Sequence, residues 1–568
     1  MDKKDQGNWV GAALLTSIVV AGSVAIYLEK KRKNEYFNRL KLENADRQVY
    51  FVGGGLGSLA GAVYLIRDCH FKGENIHIIE GLKLLGGSND GAGDSQHGFI
   101  IRGGRMLNEE TYENFWELLS TIPSIECPDK SVTEEILNFD HLHPTKAKAR
   151  LIDKEGNILD VTKMGFSQED RIALGKLMMT PEVELDDLKI EDWFSDHFFE
   201  TNFWYMWQTT FAFQKWSSLF ELKRYMNRMI FEFSRIETLE GVTRTPYNQY
   251  ESVILPLKHY LEQHQVDFSI NARVTDIDFA KGNGITATAI HLIDEEGPRK
   301  IELREQDVCI MTNGSMTDNA TLGDFNHRAE YHPTDPMSAE LWARVAAKKS
   351  GLGNPEPFFG YPEKTNWESF TVTCKGDLLL KLIEQKTGNI PGSGALMTFK
   401  DSSWLMSIVV AAQPHFKNQP KDTTIFWGYG LFTEVEGDYV KKTMRMCTGK
   451  EILTELLHHL HFEDNINEIM NTVVNVIPCM MPYIDAQFQP HKIEDRPKVV
   501  PEGSTNFAMV SQFVEIPDDM VFTEEYSVRA ARIAVYTLFN VKHKKIAPVT
   551  AYNKKPMVLL KALKKSLN

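Results

Sequence analysis

A short apolar strand, Arg47-Gln48-Val49-Tyr50-Phe51-Val52, runs straight into Gly53-Gly54-Gly55-Leu56-Gly57-Ser58, and Leu59 to Arg67 follows with helical spacing. A second strand, Asn75-Ile76-His77-Ile78-Ile79, ends at Glu80. A strand, a glycine turn, a helix and a second strand in this order form the start of an α/β parallel sheet. In Gly53-x-Gly55-x-x-Ser58 the first glycine permits the tight turn. The second lets backbone approach a pyrophosphate, and small Ser58 lets helix pack on strand. N–H groups at the helix start then face phosphate, where the helix dipole favours negative charge. Glu80, 27 residues after Gly53, stands where a carboxylate accepts ribose hydroxyls and repels a 2′-phosphate.

Two further turns follow, Leu85-Gly86-Gly87-Ser88 and Ile100-Ile101-Arg102-Gly103-Gly104-Arg105. Either alone reads as a plain turn. Together with a fixed cation they suit a long dinucleotide such as FAD.

At 568 residues the chain is long enough for two to four domains of roughly 150 residues each. Strand-like stretches return near 266–312 and 397–411, with a helical, aromatic-rich region from about 110 to 260. This pattern predicts a nucleotide domain assembled from 47–130, 266–330 and 497–540. The rest divides into a helical lid at 131–265, a substrate domain at 331–496 and a basic segment at 541–568. A net charge of −14 excludes a broad nucleic-acid surface. Six scattered cysteines without a CxxC pair offer neither a disulfide framework nor a zinc site.

Residues 1–46 read as an anchor and linker. Trp9 to Leu28 is twenty mostly apolar residues, about the thickness of a bilayer core. Lys30, Lys31, Arg32 and Lys33 follow, which by the positive-inside rule places the rest of the chain in the cytoplasm.

The strings YFVGGGLGSLAGAVYLIRD, KGENIHIIE, RGGR, YNQYESVILPL, MTNGS, WGYGLF, CMMPYI and FVEIPDDMVFTEEYSVRAARIAVYTL resemble the oleate hydratase family, also called myosin-cross-reactive antigens. The resemblance spans about 47 to 540. It implies a Rossmann-like FAD-binding domain, an inserted substrate domain of mixed sheet and helices, and a helical C-terminal cap. It implies hydration of a cis double bond in an unsaturated fatty acid, with FAD required but redox-neutral, and leaves a homodimer open. By position, Gly53, Gly55, Ser58, Glu80, Gly86, Ser88, Gly104 and Arg105 would line the FAD. Val274 would meet the adenine, and Thr312, Asn313, Ser511 and Gln512 would close around phosphates and ribityl chain.

Hydrating an isolated alkene needs an acid for one carbon and a base to prepare water for the other. Tyr225 matches the family's tyrosine proton donor; without the match it reads as a core tyrosine. The family pattern commonly continues RGGR with a water-activating glutamate, but this chain has Met106, which takes no proton. Glu109 and Glu110 are close enough in sequence to supply a carboxylate, or are solvated residues in a helix's first turn.

Gln249 and His415 match the family's carboxylate-anchoring pair, while its threonine and asparagine appear here as Val409 and Ala411. Either Arg244, Lys223 or another donor compensates, or the head group differs. An oxidoreductase or isomerase on the same fold, or a lipid-binding protein with weakened catalysis, are the competing readings. The last residues place Leu560, Leu563 and Leu567 on one helical face beside lysines, the composition of an interfacial helix on anionic lipid or of an ordinary amphipathic terminus.

Overall fold

The computed structural model describes residues 30–567 apart from 33, 90 and 105. The apolar run at 9–28 and the cofactor candidate Arg105 lie outside the described residues. Among the described residues no helix is long and apolar enough to cross a membrane.

Five parallel strands make one sheet: β1 (Val49–Val52), β2 (Ile76–Glu80), β3 (Asp267–Ile270), β4 (Val308–Met311) and β5 (Phe507–Met509). Their order is β5-β4-β1-β2-β3. β4 and β5 are buried at every residue, which is why these strands read as unbroken apolar runs rather than alternating ones. Helix α1 (Leu56–Cys69) follows β1, helix α2 (Leu219–Met229) carries Tyr225, and helix α3 (Glu524–Leu538) packs against α1.

A second, seven-stranded sheet runs Thr321–Leu322, Val473–Met481, Trp367–Lys375, Thr423–Gly430, Met406–Val409, Leu396–Phe399 and Leu151–Ile152. It is antiparallel except at its last pair. Leu151 and Ile152 belong to the stretch expected to be a helical lid, yet they pair with Thr398 and Phe399 as an edge strand. The helical region is thereby fastened to this sheet. Between β3 and β4 the chain makes a three-stranded antiparallel sheet, Arg273–Phe279, Ala287–Asp294 and Gly297–Glu302.

Residues 34–43 are helical and not a free linker: Leu40 is buried, and the Phe37 ring lies 4.8 Å from His70 and 5.1 Å from His543. At the other end Pro556–Ser566 is a helix against residues 230–234, tied by Lys565 to Glu237 at 2.5 Å. Met557, Leu560 and Leu563 on it, and Leu567 just after it, are exposed.

A buried ionic network joins α2 to α3. Arg228 pairs with Glu113 at 2.9 Å and Asp519 at 3.0 Å, and donates to the Thr111 carbonyl. Arg529 pairs with Asp519 at 2.8 Å, Glu113 at 3.0 Å and Glu525 at 2.9 Å. Glu525 also accepts the Asn114 and Phe115 backbone N–H groups. Removing one member of such a set strands the others without solvent. Arg228→Met is therefore expected to lower unfolding free energy by about 3–5 kcal/mol. Urea unfolding followed by tryptophan fluorescence checks this; a midpoint equal to wild type would show that the network carries no net stability.

Candidate active site

The glycine turns interlock before any ligand enters. Gly53 N–H donates to the Ile79 carbonyl, Gly86 N–H donates to the Gly54 carbonyl, and Gly55 bridges Gly86. Gly87 has φ +59°, and a Cβ there would stand 3.3 Å from the Gly55 Cα, so both backbone conformation and close approach require glycine. α1 starts at Gly55 with no side-chain cap and no acidic residue in its first turn. Its first N–H groups are thus left for an anion, in the field of the helix dipole. This open helix start faces a cavity of about 550 Å³.

Glu80 lies on the wall of that cavity, and its two oxygens accept the Gly54 N–H at 2.6 Å and the Leu82 N–H at 2.8 Å. Burial pushes its pKa up while the two N–H bonds pull it down. Gly53, Gly55, Gly86, Ser88, Gly104, Val274, Thr312, Ser511 and Gln512 share the wall. Ser58 and Asn313 do not. Ser58 is buried, with no hydrogen-bond partner for its hydroxyl. Asn313 is buried behind the wall, accepting from the Ser511 hydroxyl at 2.7 Å and donating to the Phe513 carbonyl.

The cavity continues between the two sheets to Tyr225, Phe211, Trp367, Trp427 and Phe522. Tyr225 is 1% exposed and held edge-on by Phe211, Phe213 and Phe488. Its hydroxyl oxygen accepts the Phe522 N–H at 3.0 Å, so its own hydrogen is left for another acceptor. Burial raises its pKa well above the usual phenol value, and the Phe522 bond opposes that shift.

Met106 is on the same wall. Glu109 and Glu110 are not, although sequence proximity made them candidates. Glu109 is exposed, and the Glu110 carboxylate is held by Arg235 at 2.8 Å. Asp318 and Glu524 reach the cavity beside Glu80, and so does Glu232, which sequence reading missed. The available signal was its position seven residues after Tyr225, on the same helical face.

A small pocket of about 40 Å³ abuts the apolar end, sharing Gly103, Gly104, Val409 and Trp427 with the large cavity. Arg244, Gln249, Ala411 and His415 line it. Arg244 is buried, and its Nε and Nη2 have no hydrogen-bond partner among the described residues. Asp140 accepts its backbone N–H rather than its guanidinium. Burial lowers the Arg244 pKa to about 10, leaving it cationic at neutral pH. Burial, with the Arg244 charge, depresses His415 to about 4, so that ring is neutral. Gln249 Oε1 is also unpartnered. Lys223 is elsewhere, donating to the Thr180 carbonyl. A buried cation without a partner is costly unless an anion arrives.

The model of the MCRA family matches residues 46–536. A linoleate hydratase of Lactiplantibacillus plantarum is 39% identical over 555 residues, covering 90% of this chain and 97% of that protein. An oleate hydratase of Streptococcus pyogenes serotype M49 (strain NZ131) is 39% identical over 514 residues, covering 88% and 86% respectively. An oxidoreductase structure from Methanosarcina mazei superposes with TM-score 0.47 at 12% identity, covering 87% of this chain and 100% of that one.

Because Gly87 needs both its φ and its missing Cβ, Gly87→Ala is expected to cut flavin retained on purification at least tenfold. Gly175→Ala, in open space, leaves retention at the wild-type level. Flavin absorbance per protein measures both; full retention in Gly87→Ala would remove the interlocked turns from the cofactor site.

Proposed function

The chain belongs to the MCRA family, and from that premise we propose that it adds water to a cis double bond of an unsaturated fatty acid, giving a hydroxy fatty acid. The observation that carries this reading is a large cavity with an acid hydrogen on its wall, abutted by a small pocket that holds an unsatisfied cation. A free fatty acid supplies what each part lacks: a carboxylate for Arg244 and an alkene for Tyr225.

In this reading the five-stranded parallel sheet is the flavin domain and residues 331–496 belong mainly to the substrate domain. Gly53 to Gly55, Glu80, Gly86 to Ser88, Thr312, Ser511 and Gln512 would hold FAD, with Val274 at the adenine. FAD bound there supplies a wall and charge to the site rather than electrons, since adding water is redox-neutral.

The residues of the chain divide the remaining work. Arg244, Gln249 and His415 grip the carboxylate. Arg244 takes over from the donors lost at Val409 and Ala411, where a hydrogen bond to a charged group contributes about 1.5–3 kcal/mol. Phe211, Trp367, Trp427 and Phe522 keep bulk water from the chain and fix the double bond beside Tyr225. Tyr225 then gives its proton to one alkene carbon. The exposed leucines of Pro556–Ser566, with Lys561 and Lys564 beside them, would rest on anionic lipid, where the substrate partitions.

With the purified, FAD-loaded protein and oleate, hydroxy acid is the expected product by mass spectrometry. Tyr225→Phe should lower turnover by at least about 100-fold, the usual range for a lost proton donor, with fatty acid binding preserved. Arg244→Met should raise KM for the free acid about 10- to 100-fold with kcat little changed, equivalent to about 1.4–2.8 kcal/mol. Unchanged turnover in Tyr225→Phe, or an unchanged KM in Arg244→Met, would contradict the assigned role.

A further inference from the structure

Loss of a carboxylate at position 106 leaves the attacking water without an evident base. Of the four carboxylates on the cavity wall, Glu80 accepts from Gly54 and Leu82, Asp318 from Ser338 and Glu524 from Asn89. Glu232 is the one on the helical stripe of Tyr225. Tyr225, Met229, Glu232, Ile236 and Leu239 follow one another along the chain and all reach the cavity. The first three stand at i, i+4 and i+7, one face of α2 and the 3-10 turn that continues it, Ile230–Ser234. Four of the five are aromatic or aliphatic. The fifth is a glutamate, 5% exposed, on an otherwise apolar stripe.

Its setting is built rather than incidental. Arg235 reaches Oε1 with Nη2 at 2.6 Å and Oε2 with Nε at 3.0 Å, and Asn108 donates to Oε1 at 3.1 Å. Oε2 accepts this one bond, so of the roughly four lone-pair directions of a carboxylate one remains for a water. Gly241 makes room for the arrangement: a Cβ there would lie 2.1 Å from the Glu232 carboxylate. Asn108 also donates to the Gly241 carbonyl at 3.1 Å, fixing which way its amide points.

We propose that Glu232 is the carboxylate that orients and deprotonates the water, in place of a glutamate at position 106. This rests on the hydratase reading. The π pair of the alkene takes the Tyr225 proton and forms a C–H bond on one carbon. A water lone pair forms the C–O bond to the other carbon, and the proton lost from that water goes to the Glu232 carboxylate. Return of that proton through water to the tyrosinate resets the site, and the sum is alkene plus water to alcohol. Burial raises the Glu232 pKa; Arg235 positions the carboxylate and opposes that rise, while Glu110, bonded to the same Arg235 Nη2, adds negative charge that favours protonation.

The test uses the FAD-loaded protein with oleate. Wild type must first form hydroxy acid; if it does not, the hydratase reading itself fails. Given wild-type activity, Glu232→Gln is expected to lower kcat at least 100-fold, with flavin content and oleate binding unchanged. Met106 faces the same cavity, so adding Met106→Glu to Glu232→Gln should recover at least tenfold. A Glu232→Gln enzyme within about threefold of wild-type kcat would overturn the proposal. If Glu232→Gln does not fold, Glu110→Gln decides. Removing that charge eases ionisation of Glu232, so the acidic limb of the kcat/KM profile moves to lower pH; an unmoved limb overturns the proposal.

Discussion

Arg228 and Arg529, both with almost no solvent exposure, share Glu113 and Asp519 between them, and the position of everything in the active site follows from that shared pairing. Glu113 belongs to the segment after the third glycine turn, Asp519 to the loop that carries Phe522, Arg228 to the helix of Tyr225, and Arg529 to the helix packed on α1. Ion pairs of this kind contribute little net stability when complete and are very costly when broken. They therefore act as a register. The helix of Tyr225, the loop that bonds its hydroxyl and the turn that carries Met106 are held in one arrangement, because any slip leaves a charge buried alone.

From that register come two opposite environments a short distance apart. Tyr225 sits among aromatic rings, where burial keeps the phenol protonated, and a single backbone N–H fixes its oxygen. The small pocket beyond Trp427 holds a permanent cation and a neutral imidazole. A fatty acid would join the two, with its charge at the polar end and its chain in the dry part. In the proposed reading the substrate would satisfy Arg244, and binding energy at the head group would place the alkene near Tyr225, where the chemistry requires it.

Local features were legible in the sequence. The strand, the turn from Gly53 to Ser58 and the acidic end at Glu80 are all set by short-range rules, and the structure has them in one sheet. Four readings needed the third dimension. Glu109 and Glu110 are neighbours of Met106 in sequence, but Glu109 is exposed and Glu110 is held by Arg235, and neither lines the cavity. Glu232 lies more than 120 residues from Met106 and is brought to the same cavity by helical periodicity starting from Tyr225, a pattern visible only once Tyr225 is known to face inward. Arg244 was one of several candidate donors; Lys223 is equally buried, and only the small pocket and the lack of a partner separate Arg244 from it. Leu151 and Ile152 join a sheet whose other strands all lie beyond residue 320, a pairing that no local signal announces.

A hydratase adds water, and only water, across the double bond. Oleate turned over in deuterated, ¹⁸O-labelled water, with the flavin spectrum recorded in the same cuvette, tests it most directly. The predicted product carries one ¹⁸O in its hydroxyl and one non-exchangeable deuterium on the neighbouring carbon, while the flavin spectrum at the end equals that at the start. A product with a new double bond or carbonyl, formed as the flavin changes redox state, would contradict it, as would oleate recovered bound but unlabelled.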